Sequence, residues 1–200
     1  MTEYRGRTDL LILALPRGGV VVGFELAEAF QAPLDVLLVR KLGVPSQKEL
    51  AFGAIAVGGV RFIDQDVVDE FALTPAQIEE VAAREVEELR RGDRAYRAGM
   101  PAPAIGQRVV ILADDGLATG STMRAALAAV KHGHPARVIV AVPVASLEGS
   151  AAIRQEADEL VCLARPEPFR SVGYWYRDFR QISDLEVREL LARSAHARPA

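Results

Sequence analysis

The chain has 200 residues, half of them hydrophobic and 26% charged, with a formal net charge of -3. That length can bury one full core, and the composition is ordinary for a globular protein. The charge balance, without any dense Lys/Arg block, leaves no electrostatic footprint for nucleic acid, and no apolar run is long enough to span a bilayer. A single cysteine, Cys162, excludes an intrachain disulfide framework and suits a reducing, cytoplasmic setting. It lies in the apolar run Leu160 to Leu163 and reads as a core residue rather than a nucleophile.

Taken in chain order, Arg5 and Arg7 before Leu10-Leu-Ile-Leu-Ala-Leu15 imitate a leader, but the run is short and ends in Pro16-Arg17, so it reads as a buried strand. A helix over Val20–Phe30 and a second strand over Leu34–Val39 follow. From Leu42 to about Val60, glycines at 43, 53, 58 and 59 suit a hinged hairpin. Thr74-Pro75-Ala76-Gln77 is a capping box with Pro at the first helical position, opening a long helix over Pro75–Ala98. Its narrow stripe of Ile78, Ala82, Val86 and Leu89, flanked by Val81, and its many Glu and Arg residues at pairing distance place it on the surface. Pro101 and Pro103 make a stiff connection to a strand over Val109–Ala113. Helix Thr122–His132, strand Val138–Val142, helix Leu147–Ala157 and strand Leu160–Leu163 come next. A terminal helix over Leu185–Arg193 is announced by the capping box Ser183-Asp184-Leu185-Glu186. Short buried strands alternating with helices predict an α/β fold, a parallel sheet flanked by helices.

The most informative run is Val109-Val-Ile-Leu-Ala-Asp-Asp-Gly-Leu-Ala-Thr-Gly-Ser-Thr-Met123. It reads as strand, glycine-rich turn and helix start, where orphan N–H groups and the positive end of the helix dipole favour an anion such as phosphate. Asp114 and Asp115 would repel a bare phosphate, so the ligand must also offer hydroxyls or a metal, as a ribose 5-phosphate does. A Walker loop would need a lysine that is absent here, and a Gly-x-Gly-x-x-Gly fingerprint is absent from the whole chain.

Ligands of open parallel sheets bind beyond the carboxyl ends of the strands. After the first strand stands Pro16-Arg17-Gly18-Gly19, a second anion-binding turn. After the second stand Arg40 and Lys41, apt partners for a diphosphate or a solvated edge. Lys48 and Glu49 read equally as contacts to a leaving group or acceptor and as solvated loop charges. The segment Pro166 to Phe179 gathers Tyr174, Trp175 and Tyr176, which can form a slot for a planar ring or pack as core. His132, His134 and His196 show no metal-ligand spacing.

The Asp-Asp-Gly-x-x-Thr-Gly-Ser-Thr run resembles the phosphoribosyl pyrophosphate (PRPP) motif of type I phosphoribosyltransferases. Leu-Pro-Arg-Gly-Gly is similar to the pyrophosphate loop of that family, where a non-proline peptide is often cis, and Arg-Lys-x-Gly-x-Pro resembles its adenine-type branch. In detail the chain looks like a small bacterial subgroup with a Val-Gly-Tyr-Trp-Tyr-x-Asp-Phe tail. The resemblance implies one domain over residues 1–200, with a core at about 10–163, a flexible hairpin loop, and an acceptor-selecting hood at about 164–182 plus the terminal helix. It implies transfer of the phosphoribosyl group from PRPP to a small planar, nitrogenous acceptor with release of pyrophosphate. Asp114, Asp115, Arg17, Lys41 and Glu49 would carry catalysis. Gly18, Gly19, Arg40, Gly116, Leu117, Ala118, Thr119, Gly120, Ser121, Thr122, Tyr174 and Trp175 would bind substrate. Mg2+ would arrive with PRPP rather than in a protein site, and a homodimer is the default assembly. The family usually places a helix before its first strand, where this chain has Met1 to Asp9, so a truncated start or an exposed apolar sheet face is expected. A PRPP-sensing regulator or an accessory module with a vestigial phosphate site are the alternatives.

Overall fold

The computed structural model describes residues 2–57, 61–97 and 101–196. In chain order the elements are β1 (Leu10–Ala14), α1 (Gly19–Phe30), β2 (Leu34–Val36), β3 (Val39–Val44), β4 (Gln47–Ala56), β5 (Arg61–Ile63), α2 (Gln65–Glu70), α3 (Pro75–Arg97), β6 (Val109–Ala113), α4 (Ser121–His132), β7 (Arg137–Val144), α5 (Leu147–Glu156), β8 (Glu159–Ala164) and α6 (Asp184–His196). Short turns of 3-10 helix cover Thr2–Tyr4 and Gly173–Trp175.

Continuous apolar runs make strands buried on both faces, and β1 and β6 are buried at every position. They form the centre of a parallel sheet ordered β2-β1-β6-β7-β8. One face packs Leu10, Ile12 and Ala14 with Val20 and Phe24 of α1. The other packs Leu11 and Leu13 with Met123 and Leu127 of α4. Pairing runs without a shift from Leu10 opposite Val109 to Ala14 opposite Ala113, so the turns after β1 and β6 begin at the same level. From that central pair the chain leaves toward β2 on one side and toward β7 on the other. Such a reversal opens a crevice at the carboxyl edge of the sheet.

The apolar run Leu34–Val39 is not one strand. Leu34–Val36 pairs with β1, whereas Val39 opens a separate antiparallel sheet, β3-β4-β5. Between them Leu37 and Leu38 stay buried, and the Leu37 amide donates to the carbonyl of Ala14 at 2.9 Å, which is why hydrophobicity does not mark the break. The hairpin expected over residues 42–60 has a packed stem, with Leu42, Val44 and Phe52 fully buried. Positions 58–60 lie outside the described residues. Strand β7 continues through Pro143, and its ladder with β8 skips that residue, as the missing N–H requires.

Both capping boxes are formed: Gln77 N–H donates to Thr74 Oγ1 at 3.3 Å, and Glu186 N–H to Ser183 Oγ at 3.2 Å. The exposed sheet face expected from the short N-terminus is absent among the described residues. Helix α6 packs against α1, α3 and β2 and buries Val187 there, and Arg193 lies over the Phe24 ring at 4.6 Å. Tyr4 is buried as well, against Phe30, and donates to Glu159 at 2.6 Å. No helix among the described residues is long and apolar enough to cross a membrane.

Candidate active site

Two turns meet at the carboxyl edge of β1 and β6. The turn after β6 enters α4 through Gly120, whose φ of +77° is the left-handed conformation that glycine adopts without a Cβ penalty. Ser121, Thr122 and Met123 then form the first helical turn, where amides have no intrahelical acceptor. Thr119 Oγ1 accepts from the Ser121 amide at 3.4 Å, and the turn is backed by α5, whose Ser146 donates through its hydroxyl to the Ala118 carbonyl. Asp114 and the residues from Gly116 to Met123, together with Val172, line an open recess of about 190 Å³. That size and the ring of amides suit one phosphate group.

The turn after β1 carries the Pro16–Arg17 peptide in the cis form and packs onto the acidic pair. A Cβ on Gly18 would stand 1.9 Å from Asp115 Oδ2, and one on Gly19 would stand 2.7 Å from the Ala113 carbonyl oxygen and 2.8 Å from Asp114 Cα. At both positions it is close approach rather than φ that a Cβ would violate, against a side chain at Gly18 and against backbone at Gly19. Burial, reinforced by the charge of Asp115, pushes the Asp114 carboxyl up to about 8, against a backbone hydrogen bond from the Asp115 amide. Burial also raises the Asp115 carboxyl. The pair thus favours a proton, a hydroxyl donor or a cation beside it.

Three larger recesses adjoin this centre, one of them, of about 470 Å³, bordered by Arg40, Lys41, Glu85 and Thr122. A second, of about 500 Å³, runs from the β1 turn to α3 and is bordered by Arg17, Arg40, Arg91, Tyr96, Thr122 and Asp184. The third, of about 420 Å³, is mainly apolar and lies between the start of α1 and the C-terminal segment, with Val21, Val22, Asp115, Tyr176, Phe179 and Ile182 in its walls. Arg17 borders the second and third, and Thr122 borders the first, the second and the small recess before α4. Tyr176 closes the hood onto the acidic pair, its hydroxyl donating to the Asp115 carbonyl at 2.5 Å. Burial and the two nearby carboxylates push that phenol up to about 12.

The structure thus brings together Arg17, Gly18, Gly19, Asp114, Asp115 and the residues 116–122. Arg40 and Lys41 do not end a parallel strand, because β2 stops at Val36; they belong to β3. Arg40 is paired with Glu85 of α3 at 2.9 Å, while Lys41 Nζ reaches Ser121 Oγ at 3.5 Å, at the start of α4. Lys48 and Glu49 fall in β4, and their side chains lie outside the described residues. Tyr174 and Trp175 are 56% and 43% exposed and pack on each other edge to face, outside the walls of the apolar recess. Tyr176 and Phe179, one and four residues further on, take the wall positions. Sequence reading misses Phe179 and Ile182 because an irregular segment has no period to reveal which residues point inward, and Tyr96 of α3 and Asp184 of α6 because their contact joins residues 88 apart in the chain. Among the described residues no group of three or more His, Cys, Asp or Glu side chains could hold a metal ion.

A glycine turn at a helix N-terminus, a second glycine turn packed on paired carboxylates, and a parallel sheet reversing between them meet at one edge of the fold. Residues 2–175 match the phosphoribosyl transferase domain family, and the chain belongs to it. It is similar to TT1426 from Thermus thermophilus, whose crystal structure superimposes with a TM-score of 0.87 at 40% identity, covering 94% of this chain and 89% of that one. It is 45% identical over 185 residues to the Mycobacterium tuberculosis H37Rv protein named "Putative phosphoribosyl transferase Rv0571c", and equally to its strain CDC 1551 / Oshkosh counterpart MT0597. The match covers 92% of this chain and 42% of those proteins, so the chain spans about two fifths of the length of these curated relatives.

Proposed function

We propose that this chain transfers the 5-phosphoribosyl group of PRPP to a planar nitrogenous acceptor, releasing pyrophosphate. The observation that carries the reading is the packing of Gly18 and Gly19 directly on Asp114 and Asp115. That contact sets an anion-binding turn against two carboxylates that seek hydroxyls, beside a recess sized for one phosphate. In this reading Gly116–Thr122 hold the 5-phosphate and Asp114 and Asp115 the ribose hydroxyls. Arg17 and Lys41 face the departing diphosphate, with Arg40 available once it leaves Glu85. The apolar recess walled by Tyr176, Phe179 and Ile182 takes the acceptor ring.

Displacement at C1 of the ribose builds positive charge on the sugar and negative charge on the leaving group. The chain contributes by orienting the sugar, neutralising the diphosphate and excluding water. A substrate-borne Mg2+ would find oxygen donors in the Asp114 and Asp115 carboxylates and would supply charge neutralisation on the diphosphate. The test is pyrophosphate release from PRPP and Mg2+ across a panel of purine and pyrimidine bases, with a control lacking acceptor. Release with one base supports the reading and names the acceptor. Tight PRPP binding with no release from any base would favour a PRPP-sensing role.

A further inference from the structure

Arg17 is a long, flexible cation on a turn whose neighbours, Pro16, Gly18 and Gly19, give its guanidinium nothing to rest on. Its rest comes from the far end of the chain. Asp184 is the first residue of α6, and its place is fixed by constraints that involve no ligand. The Ser183–Glu186 capping box sets the helix start, Arg180 reaches Glu186 at 2.5 Å, and the Tyr96 hydroxyl of α3 donates to Asp184 Oδ1 at 2.6 Å. Arg17 Nη1 lies 3.9 Å from that same Oδ1, and Arg17, Tyr96 and Asp184 all border the 500 Å³ recess.

Arg17 and Asp184 are 35% and 55% exposed, so their ion pair adds little to stability. Its effect is on direction. A guanidinium already aimed into the recess loses less rotamer freedom when an anion arrives than one free to sweep through solvent. We propose that Asp184, held by Tyr96, is a positioning residue that orients Arg17 over the recess for the leaving diphosphate. This rests on the phosphoribosyl reading for the identity of the anion, but the orientation of Arg17 can be tested apart from it.

The affinity test titrates magnesium diphosphate calorimetrically into wild type, Asp184→Asn, Tyr96→Phe, Arg17→Ala and the Arg17→Ala/Asp184→Asn double variant, each first checked for an unchanged thermal transition. Asp184→Asn should weaken binding roughly five- to tenfold, Tyr96→Phe less, and Asp184→Asn should cost nothing further once Arg17 is gone. Tighter binding by Asp184→Asn would identify a competing carboxylate, and additive losses an effect independent of Arg17; either overturns the proposal. The second measurement needs no ligand. Nuclear relaxation of the Arg17 Nε–H group should show a more mobile side chain in Asp184→Asn than in wild type, and equal order in both would overturn the proposal. A wild type that binds neither magnesium diphosphate nor PRPP would refute the phosphoribosyl reading, and the relaxation comparison would still decide the role of Asp184.

Discussion

At Asp114, burial and a neighbouring charge act in the same direction, and the consequence extends beyond the site. The carboxyl titrates near 8 in the folded chain against a reference value of 3.8. Between those limits the folded state holds a proton that the unfolded state has released. Stability contributed by this group is therefore greatest below about pH 4, falls as the pH rises, and levels off above about pH 8. Asp114→Asn removes the titrating group while keeping its shape. The variant should flatten this part of the stability profile and melt higher than wild type at pH 8, by roughly 2–4 °C for each kcal/mol of relieved burial. On the proposed phosphoribosyl reading it should also lose PRPP affinity, since an amide cannot ionise to the carboxylate that accepts most strongly from hydroxyls. Thermal unfolding across pH 4–9 checks the first expectation, and an equally pH-sensitive variant would place the titration elsewhere. The Thr119–Ser121 turn and this acidic pair were readable from sequence because they lie within one uninterrupted run of fifteen residues, where spacing alone conveys geometry.

Among the elements, the two turns respond differently to the same small change. A methyl at Gly18 meets the end of the Asp115 side chain, which can swing away, whereas a methyl at Gly19 meets the backbone of Ala113 and Asp114, which cannot. Gly18→Ala should therefore fold and lose ligand affinity through a displaced carboxylate, while Gly19→Ala should lose stability as well. Denaturant titration beside calorimetry separates the two, and equal stabilities would contradict the packing. Helix α3 is anchored through Arg97, 4% exposed, which bonds Asp35 at 3.2 Å, Asp93 at 3.0 Å and the Val36 carbonyl at 2.6 Å. Burial raises the Asp35 carboxyl despite that partner, so removing the cation leaves a largely buried acid, its side chain 21% exposed, without this counter-charge. Arg97→Met should cost about 3–5 kcal/mol in chemical unfolding; a loss within 1 kcal/mol would show that water reaches the acid. Little of this was visible beforehand, because Asp35 and Arg97 are 62 residues apart in the chain. The same limit hid α2, a six-residue helix with Val68 as its buried residue, and the break after Val36, where the apolar run continues unchanged. Helices α1 and α4, with a full apolar period and glycine-marked starts, were placed within one residue at both ends.

Across the whole molecule, the cover expected from a helix before β1 is supplied from the other end of the chain. The capping box predicted where α6 starts, but its docking onto α1 and β2 is a long-range contact that no local pattern encodes. One segment consequently performs three tasks: Tyr176 fastens the hood to Asp115, Phe179 and Ile182 wall the apolar recess, and Asp184 meets Arg17 before α6 closes the core. Loosening α6 should therefore be felt in the cleft as well as in stability. Val187 is fully buried against that face, and Val187→Ala should cost about 2 kcal/mol through lost burial and the cavity left behind. If α6 is only a cover, ligand binding well below the melting temperature should be unaffected. If it also holds the recess wall and Arg17, magnesium diphosphate should bind more weakly, and amides of Phe179 to Val187 should exchange faster than those of β6 and α4. Hydrogen exchange with and without diphosphate distinguishes the two: ligand-induced protection spreading into α6 in wild type, and shrinking in Val187→Ala, is the result expected from a segment that couples the core to the cleft.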